Sequence, residues 1–184
     1  MESNDNDTVW SQLAARALKV LLVRKEVSYA RLAADLSRQG AGESKRTVEG
    51  KVLRGTFRFS FFLQSLIAVG ADCPLHWLEP LRAPGEWEHR ASLLMQQELA
   101  ARPWLSWDEL ARQLDRIGER VPSDVLAAEK TPLVFSAGLF LQCAAVCSFE
   151  GLDLFLDRSD LREAARKGAA SRAGHSGGPV AGSP

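Results

Sequence analysis

No run of about 18 apolar residues occurs anywhere in this chain, so the sequence offers no membrane-spanning helix. Cysteine is scarce, with three in 184 residues. Cys143 and Cys147 stand four apart, without a second pair or a neighbouring histidine, which suits neither a zinc site nor a disulfide framework. Those thiols are expected to be buried and reduced, behaving as small hydrophobes. Histidine also numbers three. His175 lies near the end, His76 and His89 flank a connector, and His76 is expected to pack, because a leucine (Leu154) occupies the corresponding place in a second copy. There is no glycine-rich phosphate loop, no metal-ligand spacing and no Ser/His/Asp grouping. Enzymatic chemistry, a cofactor and a metal are therefore not expected. Alternating strand patterns are lacking too. The opening MESNDNDT has neither the basic nor the apolar region of a secretory or transit peptide, so a cytoplasmic protein is expected. Net charge is also absent, with 23 Lys and Arg against 23 Asp and Glu.

What the chain does have is a repeat, the feature to find before any other. The stretch 57–70, FRFSFFLQSLIAVG, returns at 135–148 as FSAGLFLQCAAVCS. Phe62-Leu63-Gln64 thus pairs with Phe140-Leu141-Gln142 at a spacing of 78. The same spacing pairs Ser28 with Ser106, Leu32 with Leu110, Leu36 with Leu114 and Gly40 with Gly118. Upstream it becomes 77, pairing Trp10 with Trp87, Ala14 with Ala91 and Leu22 with Leu99, so one residue is inserted near Pro103. The units are 8–82 and 83–157, followed by 158–184. Each repeat is about the size of the smallest self-folding domains.

The repeats differ in charge. Residues 8–82 carry a net +6, residues 83–157 a net −6 and residues 158–184 a net +3. Such asymmetry bears on partners.

Periodicity predicts helices throughout. Thr8 is read as the N-cap of the first, with Trp10, Leu13, Ala14, Ala17, Leu18, Leu21 and Leu22 as its apolar stripe. Ser28 starts a second helix with Leu32, Ala33 and Leu36 inward, and in the second repeat Ser106 and Glu109 have capping-box spacing. After a loop around Gly40 and Gly42, Ser44 caps a third helix through Leu53, with Val48 and Val52 inward. Gly55 ends that helix and is expected to take a positive φ. Gly50, inside it, costs about 1 kcal/mol relative to alanine. Ser60 is read as the cap of a fourth helix ending at Gly70, and Leu75, Trp77 and Leu78 as a short fifth element. The connector 79–86, EPLRAPGE, is short enough that the repeats should touch. The second repeat follows the same order, with helices at 86–101, at 106–117, from about Pro122 and at 139–147, and with a breaker at Thr131-Pro132. Residues 157–167 suit a basic helical turn or two, and the Gly/Ala/Ser/Pro-rich stretch from Gly168 is expected to lack fixed structure. The expected fold is all-α: two tandem helix-turn-helix-like units of four to five helices, packed together, with a disordered C-terminal tail. Phe62 and Phe140 should occupy equivalent core positions.

The order of helix, turn, helix, loop, third helix and glycine resembles a helix-turn-helix of the lambda-repressor-like class, on Leu32-Ala33, Thr47-Val48 and Arg54-Gly55. The sequence more closely resembles a bacterial family of unknown function. Its pattern is met here by Lys51, Arg54, Gly55, Phe57, Phe61, Phe62, Leu63 and Gln64. The resemblance covers 10–71 well and the second repeat at its first helices and its Phe135, Phe140-Leu141-Gln142 end. It implies a fold and names no reaction.

The two copies separate fold from function. Shared residues are mostly apolar or small. Gln64 and Gln142, also shared, read as buried amides tying helix ends to a loop. The differences gather on the third helix. Residues 44–58 hold Lys45, Arg46, Lys51, Arg54 and Arg58 against Glu49 alone. The corresponding 122–136 hold Lys130 against Asp124 and Glu129. In a helix-turn-helix this helix enters the major groove. Arg46 suits guanine, Ser44 and Thr47 suit bases or phosphates, and Lys45, Lys51, Arg54 and Arg58 complete the candidate DNA-binding set. The plain alternative is a solvated cationic face. The expected function is sequence-specific binding of duplex DNA by the first repeat, as a cytoplasmic, nucleoid-associated transcriptional regulator. The acidic second repeat is then for packing, homodimerisation or a protein partner. The other reading is a protein-interaction adaptor that uses this fold without DNA. Trp104 and Trp107 are either core or an exposed anchor.

Overall fold

The computed structural model describes residues 5–126 and 134–176. The first repeat forms α1 (Asp5–Arg24), α2 (Tyr29–Arg38), α3 (Lys45–Arg54), α4 (Phe59–Ala68) and, after a 3-10 turn at Leu75–Trp77, α5 (Leu78–Arg82). The second repeats the order with α6 (Trp87–Ala100), α7 (Trp107–Arg116), α8 (Ser123–Leu126), α9 (Ala137–Cys147) and, after a 3-10 turn at Leu152–Leu154, α10 (Arg158–Ser176). The fold is all-α, and among the described residues no strand forms. Among them, too, no helix is long and apolar enough to cross a membrane.

Local chemistry explains most helix ends. The Ser28 hydroxyl accepts from the Arg31 N–H (3.2 Å), Ser44 from Thr47 (3.1 Å), Ser106 from Glu109 (3.1 Å) and Ser136 from Leu139 (3.0 Å). Each satisfies an orphan donor of a first turn, a contribution of about 1 kcal/mol. The capping box at Ser106 is only half made, because Arg112 and Gln113 take the Glu109 carboxylate. That pairing with Arg112 holds the Glu109 carboxyl below its ordinary range. Two cap expectations are corrected. Helix α1 begins at Asp5, so Thr8 lies inside it. Ser60 lies inside α4, whose N-cap position is Arg58, and its hydroxyl donates instead to Glu88 at 3.3 Å.

The apolar stripe of α1 is buried as expected, but against a different partner. Helix α1 lies chiefly on α9 of the second repeat and on α10, which follows it, and keeps contact with α3 of its own repeat, while α6 lies on α4 and α5 of the first. The first helices are therefore exchanged, and one hydrophobic core runs through both repeats. At its centre the chain pairs with its own copy. Phe59 N–H donates to Phe135 O (3.0 Å) and Ala137 N–H to Phe57 O (2.9 Å), around an antiparallel bridge between Arg58 and Ser136. Arg58 and Ser136 stand 78 apart, and the same spacing carries Phe57 to Phe135 and Phe59 to Ala137, so it exchanges the two hydrogen-bonded pairs and the contact is two-fold in character. Around it, the Phe59 ring stacks on Phe140 at 3.8 Å and on Phe135 at 5.5 Å, and meets Trp77 edge-on at 6.1 Å. Each such pair contributes roughly 0.5–1.5 kcal/mol beyond burial. Phe62 and Phe140 are both buried, as the repeat requires.

One end of this arrangement is polar and the other apolar. Glu98 of α6 is buried and accepts from Trp77 Nε1 at 2.8 Å, and it lies 2.7 Å from His76 Nε2 and 3.4 Å from Arg102 Nη1. At the spacing of 77 its counterpart is Leu21, and Trp77 and His76 correspond to Phe155 and Leu154. The packing expected of His76 is replaced by a hydrogen bond, because its neighbour across the repeats is a carboxylate. Gln142 donates to Glu119 at 2.8 Å, the buried tie between helix and loop expected of it.

Helix α10 is longer than its composition suggests. Leu161, Ala164 and Gly168 are buried at spacings of three and four, and Asp160 pairs with Arg16 of α1 at 3.0 Å. The expectation that structure ends at Gly168 is thus corrected for 168–176, and residues 177–184 lie outside the described residues. So do Glu129, Lys130 and Thr131-Pro132.

Cys143 and Cys147 are buried, as expected. Burial pushes the Cys143 thiol up strongly and Cys147 up to about 11. Cys73 is half-buried and raised by burial and by Asp72. A thiol reagent at pH 8 should therefore titrate at most Cys73 in the folded chain and all three on unfolding. The thiol raised from 9.0 to about 11 adds stability that is full below pH 9 and is lost as pH climbs through 11. Rapid labelling of two or more thiols in the native protein would contradict the burial described.

Candidate nucleic-acid interface

Helix α3 is built locally. Ser44 caps it, and its hydroxyl also shares a 2.8 Å hydrogen bond with Thr47 Oγ1. Val48 and Val52 anchor it inward with no exposure. Gly55 stops it at φ 69°, with its N–H on Lys51 O at 2.9 Å, as expected of that glycine. Helix α2 packs beside α3, and α1 crosses near its C-terminal end. The loop at 39–44 turns through Gly40 and Gly42, both at positive φ.

The seven candidate residues do not form one group. Lys45, Arg46 and Arg54 are exposed and make no ion pair among the described residues. Ser44 and Thr47 are exposed, but their hydroxyls already bond each other and the helix start. Lys51 is half-buried, paired with Glu43, and its ammonium sits 4.8 Å from the centre of the Phe61 ring. Arg58, past the helix, pairs with Glu88 of α6 at 3.3 Å. Lys51 and Arg58 thus clamp α3 to its own repeat and the first repeat to the second. The sequence signal for this was weak, because Glu43 and Glu88 reach their partners only through the fold. In the second repeat Asp124, the counterpart of Arg46, is exposed on α8 and accepts from the Val125 N–H at 3.0 Å.

Other surfaces differ in character. Trp104 is 64 % exposed, which settles it as a surface residue, while Trp107 packs partly against the core. Trp107 also lines an apolar groove with Leu99, Ala100, Pro103 and Leu105. Among the described residues no cluster of three or more His, Cys, Asp or Glu side chains could hold a metal ion.

Fold and surface together define a helical protein of two interleaved repeats, with a cationic helix in one and an acidic segment in the other. The chain belongs to the family described as Domain of unknown function (DUF6471), whose model matches residues 10–73 and again 87–152. The tandem duplication read from the spacing is thereby shown. No curated protein and no solved structure matches the chain.

Proposed function

We propose that the first repeat binds duplex DNA through α3 and that the protein acts as a transcriptional regulator. The observation that carries this is the trio Lys45, Arg46 and Arg54, exposed and without an ion pair among the described residues, on a capped, regular helix, set against a repeat where the counterpart of Arg46 is Asp124. Helices α2 and α3 serve as the helix-turn-helix pair, with α3 the one presented to the major groove. Arg46, in the first turn of α3, reads guanine through two parallel N–H donors. Lys45 and Arg54 hold phosphates and set the register. Lys51 and Arg58, held by Glu43 and Glu88, keep α3 oriented rather than touching DNA. The second repeat serves as the packing partner.

The test is affinity for a selected site and for random duplex at several salt concentrations. Arg46→Ala is expected to cost roughly 1–3 kcal/mol on the selected site and to erase its advantage over random DNA. Asp124→Ala should change neither. A Lys45→Ala, Arg54→Ala double variant removes both phosphate-holding cations, so it should lower the salt slope by about two. A large effect at Asp124 with none at Arg46 would assign the DNA to the other repeat.

Trp104 supports a second reading, a protein-interaction adaptor. An exposed tryptophan beside an apolar groove suits an interface anchor. No binding of any duplex by the native chain at low salt would favour this reading.

A further inference from the structure

Gly50 sits in the interior of α3, where glycine is costly relative to alanine because it gains no side-chain packing and gives up more backbone freedom. Folds keep such a glycine where a neighbour leaves no room for a side chain or where φ is positive. Neither holds here. A Cβ built on Gly50 would meet only the Arg54 guanidinium, with Nη1 at 3.1 Å and Nη2 at 3.6 Å. That is the far end of a flexible side chain. At Gly55 the same atom would strike the Ser11 carbonyl oxygen at 1.8 Å, and at Gly151 it would strike Pro74 Cγ at 2.5 Å. Those two glycines are required by the folded chain, and Gly50 is not.

Its surroundings point outward instead. Arg46, Gly50 and Arg54 follow one another at steps of four, forming one stripe on the helix surface. The stripe lies opposite the buried Val48 and Val52. Both arginines are exposed and without an ion pair among the described residues. Glu49, the one carboxylate of the helix, is half-buried and off the stripe. At the spacing of 78 the second repeat has Asp124, Ala128 and Pro132 in these places. The two cations and the gap between them are absent together.

We infer that Gly50 is a contact point for the partner, where the sugar-phosphate wall of a nucleic-acid groove comes against the α3 backbone between Arg46 and Arg54, closer than a Cβ would allow. The occupant is polyanionic because the stripe offers cations alone. The Arg54 guanidinium, which lies over Gly50 in the free protein, swings off to a phosphate on binding. This inference rests on the DNA reading above and narrows it to one spot.

The test uses the full chain with Gly50→Ala and Gly50→Gln, and reads both melting temperature and affinity for duplex DNA at low salt. Both substitutions raise helix propensity, so neither variant should melt below the native protein. Affinity should nevertheless fall by roughly tenfold or more for alanine, and further for glutamine, as the added atoms hold the backbone away. Greater stability with unchanged affinity would overturn the inference and leave the DNA reading standing. A lower melting temperature for Gly50→Ala would overturn it too, because the glycine would then belong to the fold. If the native chain binds no duplex at low salt, the DNA reading itself fails, and that result comes before any variant is made.

Discussion

Gly55→Val is expected to leave the protein largely unfolded at physiological temperature, and Gly55→Ala to lose roughly 2–5 kcal/mol. Two costs add. Gly55 holds φ 69°, and a left-handed conformation costs an ordinary L-residue about 1–2 kcal/mol. The Cβ would also lie 1.8 Å from the Ser11 carbonyl oxygen and 3.1 Å from Ala15 Cβ. Those atoms belong to α1, which cannot retreat without uncovering the core, and overpacking of that kind costs about 1–3 kcal/mol. A β-branched side chain at positive φ is worse still. Gly40→Ala separates the two costs. Gly40 has φ 87° and nothing within 4 Å of a built Cβ, so only the backbone penalty applies. Urea melts of the three variants should rank them Gly40→Ala, Gly55→Ala, Gly55→Val in increasing damage. Equal losses at Gly40 and Gly55 would show that the crossing of α1 over Gly55 is not tight.

Neither repeat alone is expected to fold. Cut after Arg82, the chain 1–82 would leave the α1 face made of Trp10, Ala14, Ala17 and Leu21 without most of its partners. Around it in the shared core stand Ala137, Gly138, Phe140, Leu141 and Phe155 of the second repeat, and only Phe59, Phe62 and Trp77 of the lining around Ala14 and Ala17 would remain in the fragment. It would also expose Phe59, which stacks on Phe140 and Phe135. Full burial of one large apolar side chain is worth about 1.5–3 kcal/mol, and a whole domain holds only about 5–15 kcal/mol in reserve. Losing several at once exceeds that reserve. The separate fragments 1–82 and 83–184 should show little cooperative melting by circular dichroism. Mixed in equal amounts, they should recover a cooperative transition, because α1 can again find α9 and α6 can find α4. A cooperative transition in 1–82 alone, at a concentration where it is monomeric, would disprove the exchange.

The exchange also explains which features were legible in the sequence. Helix positions, the serine caps at Ser28, Ser44 and Ser106, and the left-handed stop at Gly55 depend on neighbours a few residues away, so spacing and residue type report them. Duplication was visible because equivalent core positions demand equivalent side chains, as at Phe62 and Phe140. Helix α10 was only half visible. Its inward Leu161, Ala164 and Gly168 do recur at helical spacing, but alanine and glycine there look like loop composition until α1 and α9 are seen to cover them.

The sequence by itself determined an all-α chain of two related units, and a cationic third helix in one of them. It did so because periodicity, caps and charge are properties of the chain. Only the tertiary structure decided that α1 packs chiefly on the other repeat. Helices α4 and α9 carry nearly the same Phe-Leu-Gln core, so the stripe of α1 would fit either, and the two-fold pairing at Phe57–Phe59 with Phe135–Ala137 selects between them. The same selection divided the cations. Lys51 and Arg58 meet Glu43 and Glu88 through the fold, while Lys45, Arg46 and Arg54 meet no carboxylate among the described residues, because the α3 surface that carries them is left uncovered.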